Sequence, residues 1–600
     1  MIRLADYVFQ RLAKAGVRDV FMVPGGAAMH LNDAAGFTPG LNVVTNLHEQ
    51  ASAICAEGAA RISGGLGCCM VTAGPGGTNA VTGVAGAFLD STPVIFISGQ
   101  VKRADLKGDR GVRQYGVQEI DIVSIVKPIT KYAVTITEPD KIRYHLEKAI
   151  YLARSGRGGP VWLDFPLDVQ GAQIDEEKLV GFDPAELGST TVNAGLADKV
   201  AAVAALLRQA ERPVILAGNG IRMAGAVGDF LEVVSQLGVP VLTTWLGMDL
   251  IPADHPLYAG RPGGMAPRGS NFTIQNSDLL ICIGTRIDLG MVGYAYQNLA
   301  RGAKKVVVDI DEAEIRKLGF TVDVPVVADA GAFLRALKQS GVRWPQAAAG
   351  AWLKRIHDWH QRYPLLVEDQ RDPAKPLSAY NFSDTLCDEL AEGDILAPGS
   401  SGFACEIFLL CYRNKAGQRM YHNRGTGSMG FGLPTSIGAC IASGGRRTIC
   451  VDGDGGFQMN IQELETVRRL NLPIKFFIVN NDGFASIRSS QVVYFNRNVG
   501  ADRQSGLSVP NLTKVAAAYG LATFRIDNPA TLRADLRKAL DTPGPVLCEI
   551  VVRPDEPRIP RLASFRKADG SMASRPLEDL FPFLDREEFR ANMIVPTLPE

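Results

Sequence analysis

Arg447-Thr448-Ile449-Cys450-Val451-Asp452-Gly453-Asp454-Gly455-Gly456, with Ile474-Lys475-Phe476-Phe477-Ile478-Val479-Asn480-Asn481-Asp482-Gly483 downstream, decides the fold. Residues 447–452 read as a buried strand that stops at a glycine-rich turn. A helical stretch from Ile461 to Leu470 follows, then a second apolar strand from Ile474 to Val479. Strand, helix and strand in this order make one βαβ crossover, whose right-handed connection leaves two parallel strands in one sheet. Asp454 and Asn481, 27 positions apart (481 − 454), therefore both emerge at carboxyl strand ends. In open α/β sheets, ligands bind at that edge.

The residue types there suit a magnesium ion holding a diphosphate. Mg²⁺ prefers six oxygens and commonly takes one or two from protein, the rest from phosphate and water. Asp454 offers a carboxylate, Asn481 an amide oxygen and Gly483 a backbone carbonyl. Gly453, Gly455 and Gly456 permit close approach of backbone to phosphate oxygens. The competing reading is a pair of tight turns in which these residues serve loop geometry alone. Each turn by itself admits that reading; the two together, at crossover spacing, favour the metal.

Outward from this unit the same alternation recurs. The expected fold is α/β, with three doubly wound parallel-sheet domains at 1–172, 195–340 and 376–552, and a tail at 553–600. Polar and mixed stretches separate them, and no short-period repeat is present. Six hundred residues exceed one core, and 46% apolar residues with 63 glycines suit a large α/β enzyme. Basic and acidic residues balance at 63 each, so no global field draws the chain to nucleic acid or anionic lipid. No signal-peptide pattern and no 18-residue apolar run is present, which predicts a cytoplasmic protein without a membrane partner. Ten cysteines without C-x-x-C spacing read as reduced core residues. His357 and His360 lie one helical turn apart, but beside Trp352, Ile356 and Trp359 they read as an ordinary amphipathic helix.

Glu49, in Asn46-Leu47-His48-Glu49-Gln50-Ala51, lies past a short strand at Val43-Val44 and opens a helical run through Ala60. Alone it reads as an N-terminal helix charge. Its context points elsewhere. Pro24-Gly25-Gly26-Ala27, His48-Glu49-Gln50, Gly74-Pro75-Gly76-Gly77-Thr78-Asn79, Ser98-Gly99-Gln100-Val101, Gln118-Glu119 and Gly427-Ser428-Met429-Gly430-Phe431-Gly432-Leu433-Pro434 precede the metal motif in that order. Over nearly its whole length the sequence resembles the acetolactate synthase family of thiamine-diphosphate (ThDP) enzymes. The resemblance implies a pyrimidine-binding first domain, a central domain and a diphosphate-binding third domain.

It also implies roles. Glu49 would be the acid against the aminopyrimidine ring, and Gln118 would line the reaction centre. Met429 would be the apolar wedge that bends the cofactor, with Gly427 offering its carbonyl. Pro24, Gly25, Gly74, Asn79, Gly399 and Ser400 would complete the cofactor contacts. The family's first and third domains meet across a subunit boundary, so a homodimer or homotetramer is implied, with the active site at the interface. Without the resemblance, Met429 reads as core and Gln118 as a surface amide.

In the middle domain, Ala217-Gly218-Asn219-Gly220-Ile221 follows a strand, but no acid lies about twenty residues on, which argues against a nucleotide site of the Rossmann type. Many family members carry FAD here. The matching positions are Arg157, Gly218, Gly220, Thr244, Leu246, Gly284, Arg286, Asp309, Ile310 and Asp329, with Arg286 suited to a phosphate. A domain that has lost its flavin is the alternative.

The acceptor pocket departs from the family pattern. Val117 stands where a Phe is usual, Gly264 for Met, Ser490 for Trp, and Gly290 for the arginine that grips the acceptor carboxylate. Losing that guanidinium removes the bidentate partner of a second keto acid. The expected activity is a carboligase that decarboxylates a 2-keto acid such as pyruvate. It would transfer the two-carbon acyl carbanion equivalent to an acceptor carbonyl. The smaller residues point to a bulkier acceptor, and the resemblance suggests a nucleotide-linked keto sugar, since some relatives transfer acetyl units to such sugars. The alternatives are acetolactate synthase proper, a flavin-dependent pyruvate oxidase, or an inactive binding protein. None of the seven histidines is adjacent to another, unlike the His-His pair of the resembling decarboxylases.

Overall fold

The computed structural model describes residues 1–188, 192–293, 295–566 and 570–598. The chain forms two compact units: Met1–Ser189 with Asp394–Glu406 and His422–Pro554, and Thr190–Gly393 with Ile407–Tyr421 and Asp555–Glu600.

The first unit holds two parallel sheets. In one, β1 (Asp19–Met22), β2 (Asn42–Thr45), β3 (Gly67–Val71), β4 (Val94–Gln100), β5 (Tyr132–Thr135) and β6 (Val161–Pro166) run in the order β2-β1-β3-β4-β6-β5. The second unit's sheet is built from β7 (Pro213–Ala217), β8 (Val241–Thr243), β9 (Leu279–Ile283), β10 (Lys304–Asp309) and β11 (Val324–Val327), in the order β8-β7-β9-β10-β11. The first unit's other sheet contains β12 (Ile395–Leu396), β13 (Thr448–Gly453), β14 (Ile474–Asn480), β15 (Ala522–Ile526) and β16 (Val546–Val551), in the order β12-β13-β14-β16-β15. Leaving out the edge strand β2, the two sheets of the first unit share one order: first, second, third, fifth, fourth. The first and third segments are therefore alike in topology. Every residue of β4, β6, β9 and β13 is buried, which explains why these strands read as unbroken apolar runs rather than alternations.

Both sheets of the first unit share one core, because three helices of small residues interlock. α1 (Glu49–Ser63) is buried at every position from Ala51 to Ala60, so it has no solvent face. Against it pack α2 (Pro75–Leu89) and α3 (Gly432–Ala442). A Cβ on Gly438 would lie 2.0 Å from the Cys55 carbonyl oxygen, and one on Gly83 would lie 2.5 Å from the Ala53 Cβ. The core continues from Phe21, Ala53 and Phe96 to Leu433, Ile437, Phe457 and Phe476 without a break.

The helix expected from Ile461 to Leu470 is two pieces. A 3-10 segment spans Gln458–Glu463, kinked at Asn460, and an α-helix covers Leu464–Arg469. Side-chain bonds break the regular ladder. The Asn460 amide donates to Gly430 O and Gln50 Oε1, while Glu463 accepts from Asn46 Nδ2 and Leu47 N. The polar stretch after residue 171 is not bare linker at its start, since Gln173–Ile174 pairs antiparallel with Ile2–Arg3. Within the second unit, the helix Gln346–Arg362 buries Trp352, Ile356 and Trp359, and Trp359 Nε1 donates to Asn592 Oδ1 of the tail at 2.9 Å. His360 lies 3.1 Å from Ala259 O and His357 faces Gln361. All ten cysteines are buried and free. Among the described residues no helix is long and apolar enough to cross a membrane.

Candidate active site

The sheet edges in the first unit gather two groups of side chains. The first lies where β1 and β3 end and α1 and α2 begin. Glu49 is the first residue of α1, behind an N-cap in which His48 Nδ1 accepts from Gln50 N. Its Oε2 accepts from Asn79 Nδ2 at 2.9 Å. The Thr72 side chain fills the space beside Gly25 and Gly76, where a Cβ on either glycine would lie 2.4 Å or 2.8 Å from it. Gln118 joins from the loop after β4, and a Cβ on Gly74 would lie 2.7 Å from its carbonyl oxygen. Gly25, Glu49, Gly74, Asn79 and Gln118 thus share one neighbourhood, with Pro24 next to Gly25. Thr72 was missed in the sequence, because nothing about a lone threonine after a strand marks it.

The second group lies at the carboxyl ends of β12, β13 and β14. Asp454 is buried, and its two oxygens accept from Gly455 N at 2.7 Å and Gly483 N at 3.1 Å. Burial pushes its carboxyl up to about 6, against the lowering effect of those backbone donors. Asp452, two residues earlier within β13, is also buried and pushed up to about 6 by burial. Ser401 Oγ and Gly453 N donate to its Oδ1. Asn480 turns aside to donate to Glu549, but Asn481 stays buried within the turn. Three oxygens at these neighbouring strand ends are buried without a hydrogen-bond partner among the described residues: Ser400 Oγ, Asp452 Oδ2 and Asn481 Oδ1. Buried orphans are rare in folded proteins and call for a ligand or ion.

Glycine is sterically required across this group. A Cβ would meet the Asp452 carboxyl carbon at 2.2 Å from Gly399, the Phe484 ring at 2.1 Å from Gly455, and Ser401 Oγ at 2.4 Å from Gly456. Gly483 has a φ of +122° and would place a Cβ 2.4 Å from Ala501 O. Packing inside the fold therefore already demands these glycines, whatever they do for a phosphate. Gly427 and Met429 lie on the segment before α3, Met429 exposed, and Gly427 N donates to Asn423 Oδ1. Among the described residues no three His, Cys, Asp or Glu side chains are grouped to hold a metal. The Asp454 set supplies one carboxylate, one amide and backbone, a donor set suited to Mg²⁺ rather than to zinc.

Three family models cover the chain: the thiamine pyrophosphate enzyme N-terminal TPP binding domain at residues 2–125, the central domain at 200–337, and the C-terminal TPP binding domain at 401–550. A probable acetolactate synthase large subunit of Methanocaldococcus jannaschii is 33% identical over 575 residues, covering 93% of each chain. The chain belongs to the acetolactate synthase large-subunit family of thiamine pyrophosphate enzymes. The acetolactate synthase large subunit of Lactococcus lactis is 33% identical over 94% of this chain and 95% of its own. The Escherichia coli isozyme 3 large subunit is 32% identical over 90% of this chain and 92% of its own.

In this acetolactate synthase-like chain the middle-domain candidates collect at one sheet edge. Gly218 follows β7, Thr244 and Leu246 follow β8, Gly284 and Arg286 follow β9, Asp309 ends β10 with Ile310 next, and Asp329 follows β11. Several already have work inside the fold. Cβ atoms on Gly218 and Gly220 would come within 2.2 Å and 2.7 Å of Gly284. Asp329 caps the helix Ala330–Gln339 by accepting from Ala332 N, and Thr244 N donates to Ala217 O. Arg157, in the first unit, donates to Ser91 Oγ. Of the acceptor-pocket candidates, Gly264 N donates to Gly290 O at 3.2 Å in the second unit. In the first unit, Val117 is 86% exposed, and Ser490 is exposed on the helix Ala485–Phe495.

Proposed function

We propose that this family member is a Mg²⁺- and ThDP-dependent carboligase that decarboxylates a 2-keto acid, pyruvate first, and passes the two-carbon acyl unit to an acceptor carbonyl. The orphaned Asn481 amide oxygen beside the buried Asp454 carboxylate carries this reading. Asp454, Asn481 and the Gly483 carbonyl would hold Mg²⁺, with Gly399, Ser400, Gly453, Gly455 and Gly456 around the diphosphate. When bound, ThDP supplies an electron sink for the bond that decarboxylation breaks.

The protein's part is proton handling and orientation. Glu49, fixed by Asn79, holds and moves a proton at the aminopyrimidine. Pro24, Gly25 and Gly74 shape the wall beside it, Gln118 orients substrate, and Met429, through its apolar side chain, and Gly427, through its carbonyl, would hold the cofactor. Leu47, Met429 and Met459 are exposed apolar residues on neighbouring segments, which supports a site completed by a second copy in a homodimer or homotetramer. FAD is the proposed ligand of the middle-domain edge, with Arg286 toward its phosphates. Glycine at 290 and 264, valine at 117 and serine at 490 favour a bulky acceptor without a carboxylate, such as a nucleotide-linked keto sugar.

Acetolactate formation is the second reading, favoured by relatives of that name at about one-third identity along nearly the whole chain. Mass spectrometry of products from labelled pyruvate, offered with 2-keto acids, aldehydes and nucleotide keto sugars, separates the two. The bulky-acceptor reading expects label in the sugar adduct. Label only in acetolactate overturns it, and release of carbon dioxide from no 2-keto acid overturns the carboligase itself.

A further inference from the structure

We propose that Glu119 is a positioning residue, whose buried carboxylate fixes the loop between β4 and the helix Ile122–Val126 and thereby sets the place of Gln118. The role of Gln118 rests on the function proposed above; the fixing of the loop does not.

The loop has little of its own to hold it. Its one regular piece is a 3-10 turn at Arg103–Asp105, and Val112, Tyr115 and Val117 are exposed. It carries Lys102, Arg103, Lys107, Arg110 and Arg113 among Asp105, Asp109 and Asp121, and Arg103 is tied to Asp168 at its start. Glu119 carries the loop's buried side chain, at 7% exposed, beside the buried Gly116. Its Oε1 accepts from Lys107 N at 2.5 Å, and its Oε2 accepts from Tyr115 N at 2.9 Å and Gly116 N at 3.1 Å. One carboxylate thus ties together backbone from both arms of the loop, in charge-assisted bonds that are the stronger kind. Burial alone would raise this carboxyl, yet the three backbone donors outweigh it and hold it below the ordinary glutamate range.

The backbone of residues 119 and 120 is held from the other side as well. Gln114 Nε2 donates to Glu119 O at 3.0 Å. Gln100 Nε2 donates to Ile120 O at 2.9 Å while it also reaches the buried Asp164 at 3.2 Å. A Cβ on Gly116 would lie 2.8 Å from Asp105 O, so the two arms touch. Between these anchors Gln118 takes a φ of +61°, a left-handed conformation that a residue with a Cβ seldom adopts unless its surroundings impose it. The carbonyl of that residue lies against Gly74, at the end of the Glu49 neighbourhood. Released from Glu119, the loop loses the bonds that impose this turn.

Glu119→Gln keeps the shape but turns an amide NH2 toward backbone N–H groups that need an acceptor. The test reads two signals. The five basic residues are natural trypsin sites, so nicking within 102–113 reports the loop without any catalysis. Kinetics with 2-keto acid reports Gln118, by comparing Glu119→Gln, Gln118→Ala and the double variant. We expect trypsin nicking to rise about tenfold or more in Glu119→Gln, with ThDP affinity unchanged, as loss of a local anchor opens a loop. We expect kcat to fall in both single variants, and the double variant to be no slower than Gln118→Ala, as for residues that act as a unit. Wild-type resistance to trypsin in Glu119→Gln overturns the anchoring, and losses that multiply in the double variant overturn action through Gln118. If wild-type protein turns over no 2-keto acid, the proposed function fails while the trypsin signal still decides the anchor. Should Glu119→Gln not fold, Glu119→Asp serves in both arms, with nicking expected between the wild type and a fully open loop; wild-type resistance there overturns the anchoring.

Discussion

Asn480 and Asn481 are neighbours with opposite surroundings: one bonds Glu549, and the other keeps a buried oxygen without a partner. The sequence pointed to Asn481 through its spacing from Asp454, because crossover geometry makes spacing meaningful. It did not point to Asp452, Ser401 or Thr72, whose importance comes only from burial and from neighbours distant in the chain. Glu49 was legible through its motif order, not through its own position, which reads equally as helix capping. Glu49→Gln should lower turnover at least about a hundredfold, as expected for lost general acid–base help, with thermal unfolding unchanged; steady-state kinetics beside a melting curve checks this. Asp164 gives a pH prediction. Burial pushes its carboxyl up to about 7, while bonds from Ser98, Thr135 and Gln100 pull it down. A raised carboxyl contributes its stability at low pH and loses it as pH climbs from the ordinary Asp value toward about 7. Asp164→Asn removes that titration. The melting temperature of the variant relative to wild type should therefore shift in the variant's favour from pH 4 to 7 and level off above, with up to about 1.4 kcal/mol per pH unit at stake. A flat difference across that range would contradict a buried, proton-binding Asp164.

Among the elements, the strands were the most legible, since apolar runs between glycines define them whichever face they bury. β13 and β14 appear within one residue of the sequence reading. The segment 458–463 was not legible, because its kink follows from Asn460 and Glu463 reaching partners far off in the chain. Helix α1 shows a different limit. Its string of Ala, Ser, Gly and Cys announces a helix but not that two others press on it from opposite sides. That packing makes Gly438→Ala costly: the new methyl would collide with the Cys55 carbonyl, and overpacking of this kind costs about 1–3 kcal/mol or more. Gly36→Ala, in the helix Met29–Phe37 with nothing within 4 Å of the new atom, is the control. Calorimetric melting should show a clear drop for the first and little change for the second. Equal melting temperatures would contradict the close crossing of α1 and α3.

For the whole molecule, the α/β class was legible because helical and strand periods alternate from end to end. The shared order of the two sheets in the first unit was not, since strand order is set by long-range pairing that leaves no local trace. That shared order puts two comparable sheet edges in one unit. One edge carries Glu49 and Asn79, and the other carries Asp454 and Asn481. The proposed activity depends on the second edge holding a diphosphate through magnesium. Its most direct test is calorimetric titration of ThDP into wild type and Asp454→Ala, each with and without Mg²⁺. Binding by wild type that requires Mg²⁺ and vanishes in Asp454→Ala is the predicted result. Equal affinity with and without the ion, or in the variant, would contradict it.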